Sequence, residues 1–157
     1  MKTVHSFSGT LTAGPAHFGV NGASSTSYFR GAQDFYRAVE ILEPGSNPAA
    51  FGFDAAQCLE LTLKSYLLHI GVSEKDLRNP TLLGHDLNQV WSKCVAAGLG
   101  ITAAMPGWAT KLNGGHQAPF LFRYAQDNTG IVLAPKSVVI AGLSEVMAKV
   151  QAATGVT

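Results

Sequence analysis

The strongest constraint on the fold lies between Asp54 and Ile70, where apolar side chains cover most of a helical circumference. One apolar stripe recurs every three or four residues and a second lies beside it: Ala56, Leu59, Leu63, Leu67 and Ile70, then Leu61 and Leu68. A helix that is apolar nearly all round must be surrounded by other elements. The segment therefore predicts the central helix of a bundle, at about 54–70. Asp54 can cap it, or it can begin earlier, with Pro48 in the first helical position after Asn47.

A narrow polar strip interrupts the apolar surface of this helix, formed by Gln57, Glu60 and Lys64. Glu60 precedes Lys64 by four residues, the favoured order for an ion pair along a helix. Such a pair contributes about 0.3 kcal/mol if it is exposed. Gly71 ends the helix in the position that glycine favours after a C-cap.

Other segments repeat the helical pattern, with apolar residues three and four positions apart. We predict helices at 28–42, 85–97, 103–114 and 135–152, and a single helical turn at 73–77. With the central helix, these predict a mainly α fold, a four- to five-helix antiparallel up-and-down bundle. The single domain spans residues 27–153.

Two parts of the chain do not fit the helical pattern. Residues 1–26 are rich in Gly, Ser, Thr and Ala, which predicts an extended or partly disordered arm. Between about 118 and 134, Phe120, Phe122 and Tyr124 alternate in the manner of a strand. Because a turn signal follows at 127–130, we predict a short extended or hairpin excursion at this place.

Composition limits the function classes. Only 13% of the residues are charged and the net charge is +1, so no general basic field attracts nucleic acid. A surface this poor in charge predicts partial cover by a partner subunit. Cys58 and Cys94 lie in helical patterns without CxxC spacing, so we expect buried free thiols rather than a zinc site or a disulfide. No apolar run is long enough to span a membrane, and we expect a cytoplasmic protein.

A Leu-Lys helix followed by a Gly-His-Asp-Leu turn stands out in the middle of the chain. The residues concerned are Ala55–Ala56, Glu60, Leu63–Lys64 and Leu67, then Gly84–His85–Asp86–Leu87, with a later Arg123–Tyr124. This arrangement resembles the HEPN family, named for nucleotide-binding domains of higher eukaryotes and prokaryotes. The resemblance covers about residues 28–150.

The resemblance implies a four- or five-helix bundle that forms a homodimer. Many members of the family are metal-independent ribonucleases of toxin or antiviral systems. Their Arg-polar-His motif forms a composite site across the dimer. Other members are inactive and serve as nucleotide-binding or interaction domains.

Arg78, Asn79 and His85 match the nuclease motif in spacing, with six residues between the arginine and the histidine. A histidine can shuttle the proton of a 2′-hydroxyl, and an arginine can hold the scissile phosphate by paired hydrogen bonds. The position departs from the nuclease members, whose motif lies near the last helices, and the segment contains Pro80. The alternative is that His85 or Asp86 only caps the third helix.

A second group of polar residues predicts a ligand site. Asn113–Gly114–Gly115–His116 allows close approach of backbone to a ligand, and a cluster of Arg, Lys and His side chains can bind phosphate. The alternative is a plain turn with Arg123 as a structural anchor. The predicted ligand-binding residues are Lys64, Asp86, His116, Arg123 and Tyr124.

The leading hypothesis is a HEPN-like dimeric binding or interaction module, for a nucleotide or RNA. The alternative is a metal-independent ribonuclease that uses Arg78 and His85. A third hypothesis is a structural partner of another protein. The sequence has no GxxxxGK[ST], GxGxxG or GxSxG motif and no HxxxH spacing, so we predict neither a cofactor nor a metal.

Overall fold

A computed structural model of the protein describes residues 24–124, 130 and 132–157. These residues form helices and connections, and no strand occurs among them. The helices are α1 (Ser25–Ile41), α2 (Pro48–His69), α3 (Glu74–Arg78), α4 (Leu87–Ala96), α5 (Gly107–His116) and α6 (Lys136–Thr154). The mainly helical bundle is confirmed. Most of the predicted arm, residues 1–23, lies outside the described residues.

Helix α2 is the centre of the bundle, as its apolar circumference predicts. It packs against α1, α4, α5 and α6, and its buried side chains include Phe51, Leu59, Leu63 and Leu67. Of the two predicted starts, the earlier one is confirmed, because Pro48 occupies the first turn. Proline suits that place, since its missing N–H has no partner there in any case.

Helices α1 and α2 form an antiparallel hairpin. Ser25 Oγ donates a hydrogen bond to the Ser65 carbonyl at 2.8 Å, and Phe35 meets Phe53 edge to face at 6.2 Å. Contacting residues therefore run in opposite order along the two helices. Ser24 caps α1 with a reciprocal pair of bonds to Ser27, which satisfies amides that the first turn leaves without partners.

Helix α4 runs parallel to α2, which departs from simple up-and-down alternation. Tyr66 Oη donates to the Ala97 carbonyl at 2.7 Å, and Cys94 Sγ donates to the Leu63 carbonyl at 3.5 Å. The connection 70–86, which includes α3, returns along α2 before α4 begins. This return brings residues 84 and 85 beside the middle of α2.

Residues 118–124, the first part of the predicted extended or hairpin excursion, do not form a strand. Residues 118–124 form turns, and Phe120 has a positive φ of 60°, which no strand contains. Phe122 is buried because its ring lies between Gly52 of α2 and Gly115 of α5. The alternation of aromatic residues reflects one buried ring in a turn. Residues 125–129 and 131, with most of the predicted turn signal, lie outside the described residues.

Cys58 and Cys94 are buried free thiols, as predicted. Burial raises the pKa of both thiols to about 12, so neither is a reactive nucleophile at neutral pH. None of the helices in the described ranges has the length and apolar character that a membrane crossing requires.

The neighbouring glycines of α5 provide a test of the packing between α2 and α5. Gly114 is exposed and a methyl group there meets open space, whereas one at Gly115 would overlap the Phe122 ring. We expect Gly114→Ala to stabilise the protein by about 0.4–1 kcal/mol through reduced freedom of the unfolded chain. Gly115→Ala should destabilise it by about 1–3 kcal/mol through overpacking. Urea unfolding measures both, and equal effects of the two changes would contradict the position of Phe122.

Candidate functional site

Glu60 is the centre of the most buried polar cluster among the described residues. Its side chain, on α2, is only 5% exposed. Oε1 accepts a hydrogen bond from Lys64 Nζ at 2.7 Å, and Oε2 accepts one from His85 Nδ1 at 3.0 Å. His116 Nε2 also bonds to Oε2. Because an ionised carboxylate only accepts, each ring nitrogen that faces it carries a proton.

These contacts keep the carboxyl group ionised. Burial by itself raises the pKa of Glu60, but hydrogen bonds from His116 and His85 outweigh it, together with the charge of Lys64. The resulting pKa lies well below the usual range for glutamate. A negative charge is thus held inside the protein by one ammonium group and two imidazoles, which is the arrangement that a buried charge requires.

A tight turn before α4 completes the environment of Lys64. The Asn79 carbonyl accepts hydrogen bonds from the amides of Leu82, Leu83 and Gly84, and the turn presents the Gly84 carbonyl to Lys64 Nζ at 2.6 Å. Gly84 has a φ of +41°, and a Cβ there would lie 2.8 Å from the Pro80 Cα. Glycine is therefore required at this turn, which aims His85 at Glu60.

Asp86 and Asn113 fix α5 against the start of α4. Asp86 caps α4 by accepting from the amides of Asn88 and Gln89, and it also accepts from Asn113 Nδ2 at 3.1 Å. Asn113 Oδ1 in turn accepts from the Leu87 amide at 2.8 Å. Since His116 lies one helical turn after Asn113, these bonds set its position beside Glu60.

An aromatic and cationic ledge adjoins His85. We use this name for Phe53, Phe120 and Arg123. The rings of His85 and Phe120 meet edge to face at 6.0 Å. The Arg123 guanidinium lies 5.3 Å from the Phe120 ring centroid and 5.6 Å from that of Phe53, within the range of cation–π attraction.

An open cavity of about 320 Å³ adjoins the cluster. We call it the His85 cavity, and its lining residues are Tyr28, Glu60, Leu61, Lys64, Arg78, Gly84 and His85. His85 has 42% of its side chain exposed. A hydrogen bond with Tyr28 and the nearby charge of Glu74 raise the pKa of the Arg78 guanidinium, and Arg78 and Glu74 form an ion pair.

The structure places the predicted site residues in three groups. Lys64, Arg78 and His85 meet at the His85 cavity, and His116 joins them through Glu60. Arg123 lies on the ledge, where the Phe120 ring separates it from His85. Asp86 is a helix cap, and Tyr124 is 61% exposed and is not among the residues that line the cavity.

The sequence did not identify Glu60 and Tyr28 as site residues, and it named Asn113 only for close approach of backbone to a ligand. The sequence predicted Glu60 and Lys64 as an ion pair that contributes about 0.3 kcal/mol if it is exposed, yet both residues are buried. A signal was present, because a central helix that is covered on all sides has no exposed face for a charged pair. Tyr28 and the side-chain hydrogen bonds of Asn113 gave no such signal, since they depend on tertiary contacts.

The cluster also contains a set of metal-binding groups. Glu60, His85 and His116 each offer a donor atom, and these atoms lie within 4.8 Å of one another. Two imidazoles with one carboxylate are the ligands of many open zinc sites.

Comparison with known protein families, curated proteins and solved structures finds no match for this chain.

The buried ion pair leads to a prediction about stability. Glu60→Gln removes the charge that compensates Lys64 and turns an amide N–H toward other donors, so we expect a loss of about 3–5 kcal/mol in the free energy of unfolding. Adding Lys64→Met removes the uncompensated ammonium and should recover part of the loss. Urea unfolding of the single and double variants measures the coupling.

Asp34→Asn is the matched control, because it breaks the exposed pair between Asp34 and Arg37. This change should cost about 0.2–1 kcal/mol.

The contribution of Glu60 to stability depends on pH. Since folding lowers the pKa of Glu60, the stabilisation that Glu60 contributes is complete above its ordinary pKa of about 4.3 and declines as pH falls toward the folded value. The deficit of Glu60→Gln should therefore narrow in acid. If the effects of Glu60→Gln and Lys64→Met on the free energy of unfolding simply add, the proposed coupling between the two residues is contradicted.

Proposed function

We propose that this chain binds a phosphate-bearing ligand, a nucleotide or an RNA, in the His85 cavity. The observation that carries the proposal is the lining itself, in which Lys64, Arg78 and His85 approach one open space beside the Tyr28 hydroxyl. The volume of about 320 Å³ suits a small molecule or one nucleotide of a chain. With a net charge of +1, attraction for phosphate depends on such a local cluster.

Arg78 is the strongest candidate for direct contact with phosphate. Its side chain is 71% exposed, and a guanidinium has five N–H donors. Bonds to Glu74 and Tyr28 leave donors for a paired bond to phosphate oxygens. Lys64 is already bound to Glu60 and Gly84, so it contributes charge more than a new hydrogen bond.

We further propose that the protein is HEPN-like and acts as a cytoplasmic homodimer, with a cognate protein as a further possible partner. The helical bundle and the contact between the Leu-Lys helix and the His-Asp-Leu turn, Lys64 to Gly84, support the resemblance. The low share of charged residues and large exposed apolar side chains, such as Ile41 at 80%, support a covered surface.

Calorimetric titration with adenosine monophosphate and with a short single-stranded RNA tests the binding proposal. The buffer contains EDTA, so that no metal contributes. We expect saturable binding that weakens about tenfold or more in Arg78→Gln, since a charged hydrogen-bond pair is worth about 1.5–3 kcal/mol. Arg37→Gln is the matched control, an exposed arginine on α1, and should bind like the wild type.

Two outcomes would refute the proposal. One is the absence of binding by either probe. The other is equal weakening by Arg78→Gln and Arg37→Gln, which would indicate only general attraction between charges.

A second candidate function is metal-independent cleavage of RNA by Arg78 and His85. The observation that favours it is the 3.0 Å bond from His85 Nδ1 to Glu60. This bond places the ring proton on Nδ1 and leaves the Nε2 lone pair free to take the proton of a ribose 2′-hydroxyl. The 2′-oxygen then attacks phosphorus and the 5′-oxygen leaves and takes a proton from water, which gives a cyclic phosphate and a 5′-hydroxyl end. Arg78 stabilises the charge on the phosphate.

Incubation with mixed RNA in EDTA tests the cleavage reaction. Asn has an amide nitrogen near the position of Nδ1, so His85→Asn keeps a donor for Glu60 and removes the base. We expect a loss of about 10²-fold or more in rate. His69→Asn, an exposed histidine on α2, is the control and should retain activity. Intact RNA with the wild type, or equal loss in both variants, would end this candidate.

A further inference from the structure

We propose that Glu60, His85 and His116 form a binding site for one divalent transition-metal ion of the zinc class. The three residues come from α2, from the turn before α4 and from α5, and their donor atoms converge within 4.8 Å. This site goes beyond phosphate binding and does not depend on it.

The ligand set selects the class of metal. Two imidazoles and one carboxylate suit zinc and the similar ions cobalt and nickel. Magnesium and calcium prefer a shell made of oxygen atoms, and the cluster offers them only one carboxylate. The combination of two histidines and one glutamate is typical of zinc sites that keep a position open.

The spacing of the donor atoms fits coordination after a small adjustment. In a tetrahedral site with bonds of about 2.0–2.1 Å, the ligand atoms lie roughly 3.4 Å apart. His85 Nδ1 and Glu60 Oε2 are 3.0 Å apart, and the whole set lies within 4.8 Å. Both imidazoles lie at hydrogen-bond distance from Glu60 Oε2, so both rings must move outward to admit the ion, and the partial exposure of His85 leaves its ring free to do so.

The surroundings orient the proposed ligands. Lys64 Nζ holds Oε1 of Glu60 and leaves Oε2 to face the two imidazoles, which favours a single bond from the carboxylate to the ion. Asn113 sets the register of α5 and so the position of His116. In metal sites generally, hydrogen bonds from residues that do not themselves bind the metal orient the ligands.

The hydrogen-bonded cluster leaves one polar atom unused. His116 Nδ1 is buried and has no hydrogen-bond partner in the described part of the chain. When His116 Nε2 binds the ion, the ring proton moves to Nδ1, the nitrogen on the other side of the ring. The adjoining cavity gives a fourth ligand, water or a phosphate oxygen, access to an ion bound at the cluster.

Titration of the metal-free full-length chain with Co²⁺ and with Zn²⁺ tests the site. We expect one equivalent of Co²⁺ to bind with the visible absorption of a four-coordinate ion, and Zn²⁺ to displace it. His116→Gln and His85→Asn can each still donate a hydrogen bond to Glu60 but supply a poor metal ligand. Both changes should weaken metal binding at least about tenfold. Even the loss of a residue that only hydrogen-bonds to a metal ligand costs roughly 10–100-fold in metal affinity.

His69→Gln is the matched control and should bind like the wild type. Circular dichroism and the melting temperature without metal establish that each variant is folded, and His85→Asn, at a partly exposed position, keeps the test valid if His116→Gln is unstable. Octahedral or non-saturable Co²⁺ binding overturns the proposal, as does wild-type affinity in both folded variants. Because the nucleotide titrations contain EDTA, failure of metal binding leaves the phosphate proposal separately tested.

Discussion

The carboxylate of Glu60 and the ammonium group of Lys64 project from the central helix into the buried interior of the bundle, and much of the surrounding structure depends on them. Glu60 and Lys64 are both about 5% exposed at the side chain. Removing two charges from water costs several kcal/mol for each ion unless hydrogen bonds replace the lost solvent. The chain supplies them from two distant segments, through Gly84 and His85 of the turn before α4 and through His116 of α5. The pair therefore specifies where the return connection and α5 must pack.

The need to satisfy the buried ion pair explains why Arg78 and His85, seven residues apart in sequence, line the same cavity. The connection from α2 must return far enough for the Gly84 carbonyl to reach Lys64, and the tight turn at 79–84 shortens the path. Arg78 ends the short helix just before this turn, so it arrives beside His85. The proline in the segment was a reason to doubt a pairing of Arg78 with His85. In the fold, Pro80 is part of the turn that brings the two residues to the same cavity.

The sequence predicted the helices well because their signals are local. The apolar circumference identified α2 as central, and Ser73, Asp86 and Pro48 mark helix starts that follow from capping chemistry. Prediction was wrong where tertiary contacts override local pattern. Phe120 and Phe122 alternate like strand residues, yet Phe122 instead fills a space between two glycines on different helices. Of the buried cluster, the sequence analysis named His85, His116 and Lys64 but not the carboxylate of Glu60 that joins them.

The two proposed uses of the cluster make opposite demands on the same atoms. Proton transfer by His85 requires Nδ1 to donate to Glu60, so that the Nε2 lone pair faces the ligand. Metal binding requires the Nδ1 lone pair, and the proton then moves to Nε2, where it can only donate. A bound ion would thus remove the base, yet it would add positive charge beside Arg78 and strengthen the attraction for phosphate. Binding of phosphate is compatible with both forms of the cluster, whereas proton transfer by His85 belongs only to the hydrogen-bonded form.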